Sequence, residues 1–121
     1  MALHVLVMEG LLEGMNQTLV RLAEDDGLIV PGTDAPHLPP GEAYQREIEL
    51  VAQTGLAPER VIRAATRDAA IYLGLGDELG MLEAGKLVDF IVVDGDPLTD
   101  LSALQNVVAV VKGGEPIRRR E

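Results

Sequence analysis

Thr33, Asp34 and His37 stand close together in LIVPGTDAPHLPP, residues 28–40. A carboxylate with an imidazole three residues on could take a proton from water and return it to a leaving group. The chain has two histidines in all, and one of them, His37, stands three residues after Asp34. The other, His4, lies in the apolar run ALHVLVM and reads as a core or interface residue. Ser102, the one serine, has no nucleophile-elbow pattern around it and reads as the N-cap of a helical turn. Asp89, Asp94 and Asp96 in VDFIVVDGDP lack the ladder and distal glutamate of a calcium loop and read as turn formers. With no cysteine, disulfides, thiolate metal sites and cysteine nucleophiles are excluded.

The elements around Asp34 decide whether it can work. LIVP, residues 28–31, is apolar throughout, as strands covered on both faces are, and stops at Gly32. The C-terminal tip of a parallel strand is where α/β proteins keep their chemistry. Thr33 then shapes the turn that presents Asp34. Before the strand, apolar residues at 8, 11, 12, 15, 19 and 22 predict one face of a helix, with Glu9, Glu13, Gln17 and Arg21 opposite and Gly27 as its stop. Residues 2–8 could extend that helix or form a strand. After the proline-rich loop, Gly41 opens a second helix with Tyr44, Ile48, Val51 and Ala52 on one face and Gly55 at its end. Pro58 suits the first turn of a third helix. Its predicted stripe is Val61, Ile62, Ala65, Ala69 and Leu73, and Gly74 stops it. The alanines of RAATRDAA fit either close approach of a neighbour or simple helix propensity.

Beyond Gly76 the texture changes. LVDFIVVDG and NVVAVVKGGEP are valine-rich runs that predict strands, KGGEPI predicts a hairpin, and GDPLTDLSAL predicts a turn followed by a helical turn. The closing RRR reads as a solvated tail. The expected division is therefore residues 1–76, helical with one strand, and 77–121, rich in β-structure.

A formal charge of −10 disfavours both a phosphate backbone and an anionic membrane surface. Two tyrosines, one phenylalanine and no tryptophan leave no platform for stacking bases. Nucleic acid and membrane are therefore not expected partners. No run approaches the roughly 18 apolar residues of a membrane span. The opening stretch lacks a basic leader region, so no signal peptide and a cytoplasmic location are expected.

The order of these motifs resembles the C-terminal end of the amidohydrolase superfamily, in particular its prolidase-like and imidazolonepropionase-like members. VPGTDAPH resembles the eighth barrel strand, and EIELVAQTGLAPERVIRAATRDAAIYLGL the paired helices after it. DELGMLEAGKLVDFIVVDGDPLTD and VVAVVKGGEPI resemble the return into that family's small β-sandwich. The resemblance implies an α/β chain: a partial (β/α) barrel segment followed by a small β-sheet tail. It implies a hydrolase of small amide, ester or lactone bonds. It also implies that Asp34 is catalytic, as ligand of a divalent metal such as zinc and proton shuttle, with His37 contacting a small-molecule substrate.

The family's remaining ligands have no counterpart here. There is no H-x-H pair, and Lys86 and Lys112 both fall in the β tail. A catalytic zinc takes about three protein ligands, and the resemblance supplies one. Completion by a homo-oligomer, or by a complementary barrel chain, is the expectation. The alternatives are an inactive C-terminal part of a split or truncated amidohydrolase, or a non-catalytic oligomeric remnant.

Overall fold

A computed structural model describes residues 2–34 and 39–119, and the side chains of 9–34, 39 and 41–117 among them. Helix α1 (Ala2–Glu24) includes residues 2–8, which decides the open alternative for that run in favour of helix. Its stop differs from expectation. The left-handed residue is Asp26, at φ 56°, and the Gly27 N–H donates back to the Leu22 carbonyl at 2.8 Å. Gly27 has a different reason to be glycine, since a Cβ there would lie 2.2 Å from Leu22 Cδ1.

Residues 28–31 form an extended segment and not a strand. Its side chains alternate: Ile29 and Pro31 are buried, while Leu28 and Val30 are 45% and 38% exposed. The expectation of a strand covered on both faces is therefore corrected. A strand needs a neighbour to complete its ladder, and among the described residues none lies alongside.

Helix α2 (Pro40–Gln53) ends as expected, with Gly55 in the left-handed region at φ 94°. Helix α3 (Pro58–Arg63) begins with Pro58, whose missing N–H costs nothing in a first turn. It runs into a π turn (Ala64–Asp68) and then α4 (Ala69–Tyr72), and Gly74 at φ 74° closes the series. The buried set is Val61, Ala64, Asp68 and Ala70, and Leu73 is 68% exposed. Of the predicted stripe Val61 is buried, Ile62, Ala65 and Ala69 are half-buried with Ala65 packed against the core, and Leu73 at the helix end is exposed.

The core gathers Ile29, Ile48, Val51, Leu56, Val61 and Ala64, with Leu19, Val20 and Ala23 of α1 packed against it. Leu101 and Leu104 reach the same cluster from the C-terminal part. The loop before the sheet is pinned through Gly80, at φ 92°, where a Cβ would meet Ala70 Cβ at 2.8 Å and Arg67 Cα at 2.9 Å. Ala70 thus admits a neighbouring segment, one of the two readings of that alanine run.

Three antiparallel strands follow: β1 (Phe90–Val93), β2 (Val107–Lys112) and β3 (Glu115–Arg119), in the order β1-β2-β3. Ile91 pairs with Val110, Val111 pairs with Pro116, and a bulge interrupts each ladder. Gly113 and Gly114 make the β2–β3 turn at φ 58° and 84°, the conformation that tight hairpins require. Between β1 and β2 the five-residue turn Leu101–Gln105 is capped by Asp100, whose Oδ1 accepts from the Ser102 N–H at 2.9 Å. Ser102 is therefore the capped residue and Asp100 the cap. The carboxylate is the stronger acceptor, and the Ser102 bonds hold its pKa below the ordinary aspartate value.

Candidate functional site

Asp34 stands at the end of the extended segment, exposed, with its backbone in the left-handed region at φ 47°. Thr33 before it is half-buried. The Gly32 N–H donates to Oε1 of Glu47 at 3.4 Å, a long bond that ties the tip to α2. His37 lies outside the described residues. His4 is on α1, with only its backbone described.

Among the described residues no three histidine, cysteine, aspartate or glutamate side chains converge to hold a metal ion. A catalytic zinc takes about three such donors, so the described residues do not by themselves fit the metal that the resemblance implies. Asp34 is a surface carboxylate in a left-handed backbone conformation that aspartate tolerates better than most residues, as Asp26 does at the end of α1.

A second feature escaped the sequence reading. Asp68, fully buried in the π turn, accepts from Arg60 Nη1 at 2.6 Å and lies near Arg67 Nη1 at 3.3 Å and Arg63 Nε at 3.4 Å. Arg60 Nη2 donates to the Gly27 carbonyl, and Arg63 Nη2 reaches Asp26 Oδ1 at 2.6 Å. The Asp26 bond raises the already high pKa of Arg63. One buried carboxylate thus organises arginines that grip both residues just before the Asp34-bearing segment. The available signal was a charge seven residues after Val61, on the face that should be apolar.

Tyr44 Oη donates to the Ala65 carbonyl at 3.2 Å, and burial, with Glu47 adding to it, pushes the Tyr44 pKa up. This bond sits in an apolar groove of about 600 Å³, walled by α2, α3 and the sheet, with Phe90, Ile91 and Val110 on the sheet side. Asp89 lies at its rim, where Lys112 Nζ donates at 2.7 Å and the Gly113 N–H at 2.6 Å. Those donors, Lys112 first, hold the Asp89 pKa below its ordinary value.

The sequence matches the Amidohydrolase family over residues 10–117. It is 33% identical over 90 residues to an imidazolonepropionase of Syntrophobacter fumaroxidans, covering 68% of this chain and 21% of that protein. The fold superposes on a Xaa-Pro dipeptidase with bound methionine in its active site at TM-score 0.75 and 34% identity, covering 85% of this chain and 25% of that one. It superposes on molinate hydrolase at TM-score 0.68 and 30% identity, covering 84% and 26%. The chain thus spans about a fifth to a quarter of the length of these relatives. The motifs around GTD and GKLVDFIVVDGDP pointed to the same group, and a match over nearly the whole sequence establishes it: the chain belongs to the amidohydrolase family.

Proposed function

We propose that this chain supplies the Asp34 carboxylate to a hydrolytic centre acting on small amide, ester or lactone bonds. In this reading Asp34 takes a proton from the attacking water and returns it to the leaving group, with His37 contacting the substrate. Asp34 and His37 are carried over from the family's motif, and the proton shuttle follows from what a carboxylate can do at that place. The observation that carries the reading is the family match spanning residues 10–117, which contains the GTD tip with Asp34 held in a left-handed conformation. The missing donors would come from another polypeptide, either a second copy of this chain or a complementary barrel chain. Residues 1–76 would then act as barrel segment and 77–121 as sandwich segment.

The relatives differ in substrate, as an imidazolonepropionase, a dipeptidase and molinate hydrolase, so the proposal is for the bond class. The test is a panel of dipeptides, aryl esters and lactones assayed with wild type and Asp34→Asn, with and without added zinc. Turnover by wild type that drops at least about a hundredfold in the variant supports the reading. Turnover that the variant keeps removes Asp34 from it.

A second reading is favoured by coverage. A chain that spans 21% of its imidazolonepropionase relative, with no three-donor cluster among its described residues, fits an inactive portion of a larger hydrolase. Wild-type protein inert on the whole panel is the outcome that selects it.

A further inference from the structure

We infer that Glu47 is a positioning residue for Asp34: its carboxylate holds the backbone at Gly32 and so sets the direction in which Asp34 leaves the extended segment. The inference rests on the reading of Asp34 as the carboxylate that moves the proton.

The segment carrying Asp34 has no ladder among the described residues, so other contacts must fix it. Its first half is held firmly. The Gly27 carbonyl accepts from Arg60 Nη2, and Ile29 is packed in the core. Pro31 is buried, and its ring fixes its own φ. Gly32 comes next, exposed, with nothing within 4 Å of where a Cβ would stand. A glycine in open space is a swivel. Thr33 and Asp34 lie beyond it, so a rotation at Gly32 swings the carboxylate through an arc. Among the described residues one hydrogen bond engages residues 28–34, and it falls at the swivel: the Gly32 N–H donates to Glu47 Oε1 at 3.4 Å.

Glu47 is placed for this contact and for no other on the described surface. Ala43 and Val51, four residues before and after it on α2, are both buried, so Glu47 stands on the core-facing stripe of that helix. A carboxylate there loses part of its hydration and requires a donor in exchange. Its neighbour Arg46 pairs with Glu49 at 2.8 Å, and among the described residues no cation lies within ion-pair reach of Glu47. Tyr44, three residues back, gives its hydroxyl proton to the Ala65 carbonyl. The Gly32 N–H is the donor that remains. The bond is long, but a carboxylate acceptor makes it stronger than a neutral one would.

The test uses the 121-residue protein and three substitutions at this position. Glu47→Leu removes the acceptor and keeps the bulk. Glu47→Asp keeps the charge but stops a methylene short of Gly32, and it reports independently should the leucine variant not fold. Glu47→Gln keeps an acceptor of the same reach. Amide exchange at Gly32 should quicken about tenfold in the leucine and aspartate variants and stay near wild type in the glutamine variant. The N–H to Hα coupling of Asp34, which reports its φ, should leave its left-handed value in the same two variants and hold in the third. On the substrate panel, kcat should fall about tenfold at a nearly constant KM in those two variants and recover with glutamine. In an Asp34→Asn background, Glu47→Leu should cost no further turnover, because the two residues act as one unit. Exchange and coupling that stay at wild-type values in the leucine and aspartate variants overturn the inference. An equal fall in kcat in both backgrounds overturns it too, by assigning Glu47 to general stability. Wild type inert on the panel counts against the hydrolytic reading alone, and exchange and coupling then decide the role of Glu47 by themselves.

Discussion

Arg60 and Asp68 lie 2.6 Å apart across the π turn, with the Arg60 side chain 12% exposed and Asp68 fully buried. The same guanidinium holds the Gly27 carbonyl, so the pair fastens α3 to the end of α1 and to the start of the Asp34 segment. Removing the carboxylate leaves buried positive charge without its counterion, which costs about 3–5 kcal/mol. Asp68→Ala should therefore lower the urea midpoint sharply. Asp68→Asn, which keeps an acceptor for Arg60, should cost less. Equal loss in the two variants would assign the role of Asp68 to shape and not to charge.

The Gly80 contact gives a second comparison. Gly80→Ala introduces both left-handed strain and a clash with Ala70 and the Arg67 backbone, whereas Gly55→Ala at a similar φ meets nothing within 4 Å. The strain alone is about 1 kcal/mol. Gly80→Ala should lose that plus about 1–3 kcal/mol from overpacking. Thermal melts of the two variants side by side check the difference. Matching melts would mean that the loop moves off the helix at little cost.

The sign of the pH response at the hairpin follows from Asp89. Its pKa is lowered in the fold by Lys112 and Gly113, so its contribution is fully present above the unfolded value of 3.8 and is lost as pH falls through the lower folded value. Hairpin amides, Gly113 first, should exchange faster on acidification across that window, after correction for intrinsic rates. Asp89→Asn should flatten the response. An unchanged acid profile in the variant would show that the Lys112 pair adds nothing to the hairpin.

What the sequence made legible were features written in local chemistry. The Gly113–Gly114 turn, the valine-rich β1 and β2, the Pro58 helix start and the left-handed Gly55 and Gly74 each follow from one or two residue types. What stayed hidden depended on partners distant along the chain. The predicted stripe is half-buried over Ile62, Ala65 and Ala69, while the deepest positions are Val61, Ala64 and Asp68, because the segments that cover the helix come from distant parts of the chain. LIVP carries the composition of a strand, but a ladder is a relationship between two segments, and the described residues provide only one. Asp68 looked like one more charge in RAATRDAA, since nothing local says that Arg60 and Gly27 converge on it. Asp34 is proposed from the motif alone, and no spacing argument could supply donors that the described residues do not bring together.

Asp34 allows the carboxylate's chemistry to be separated from its backbone. At φ 47° a non-glycine residue sits where L side chains crowd the following carbonyl, and aspartate and asparagine tolerate this better than alanine does. Asp34→Gly relieves the crowding but loosens the unfolded chain by a comparable amount, so its net effect on stability should be near zero. Asp34→Asn should be near zero too, because it keeps both the shape and the tolerance. Asp34→Ala should fall about 1 kcal/mol below the glycine variant. If the carboxylate moves the proton, all three variants lose turnover alike, regardless of this stability order. Turnover that instead tracks stability across the three would mean that Asp34 serves the turn and not the reaction. Denaturant midpoints and hydrolysis rates on the same three samples decide between them.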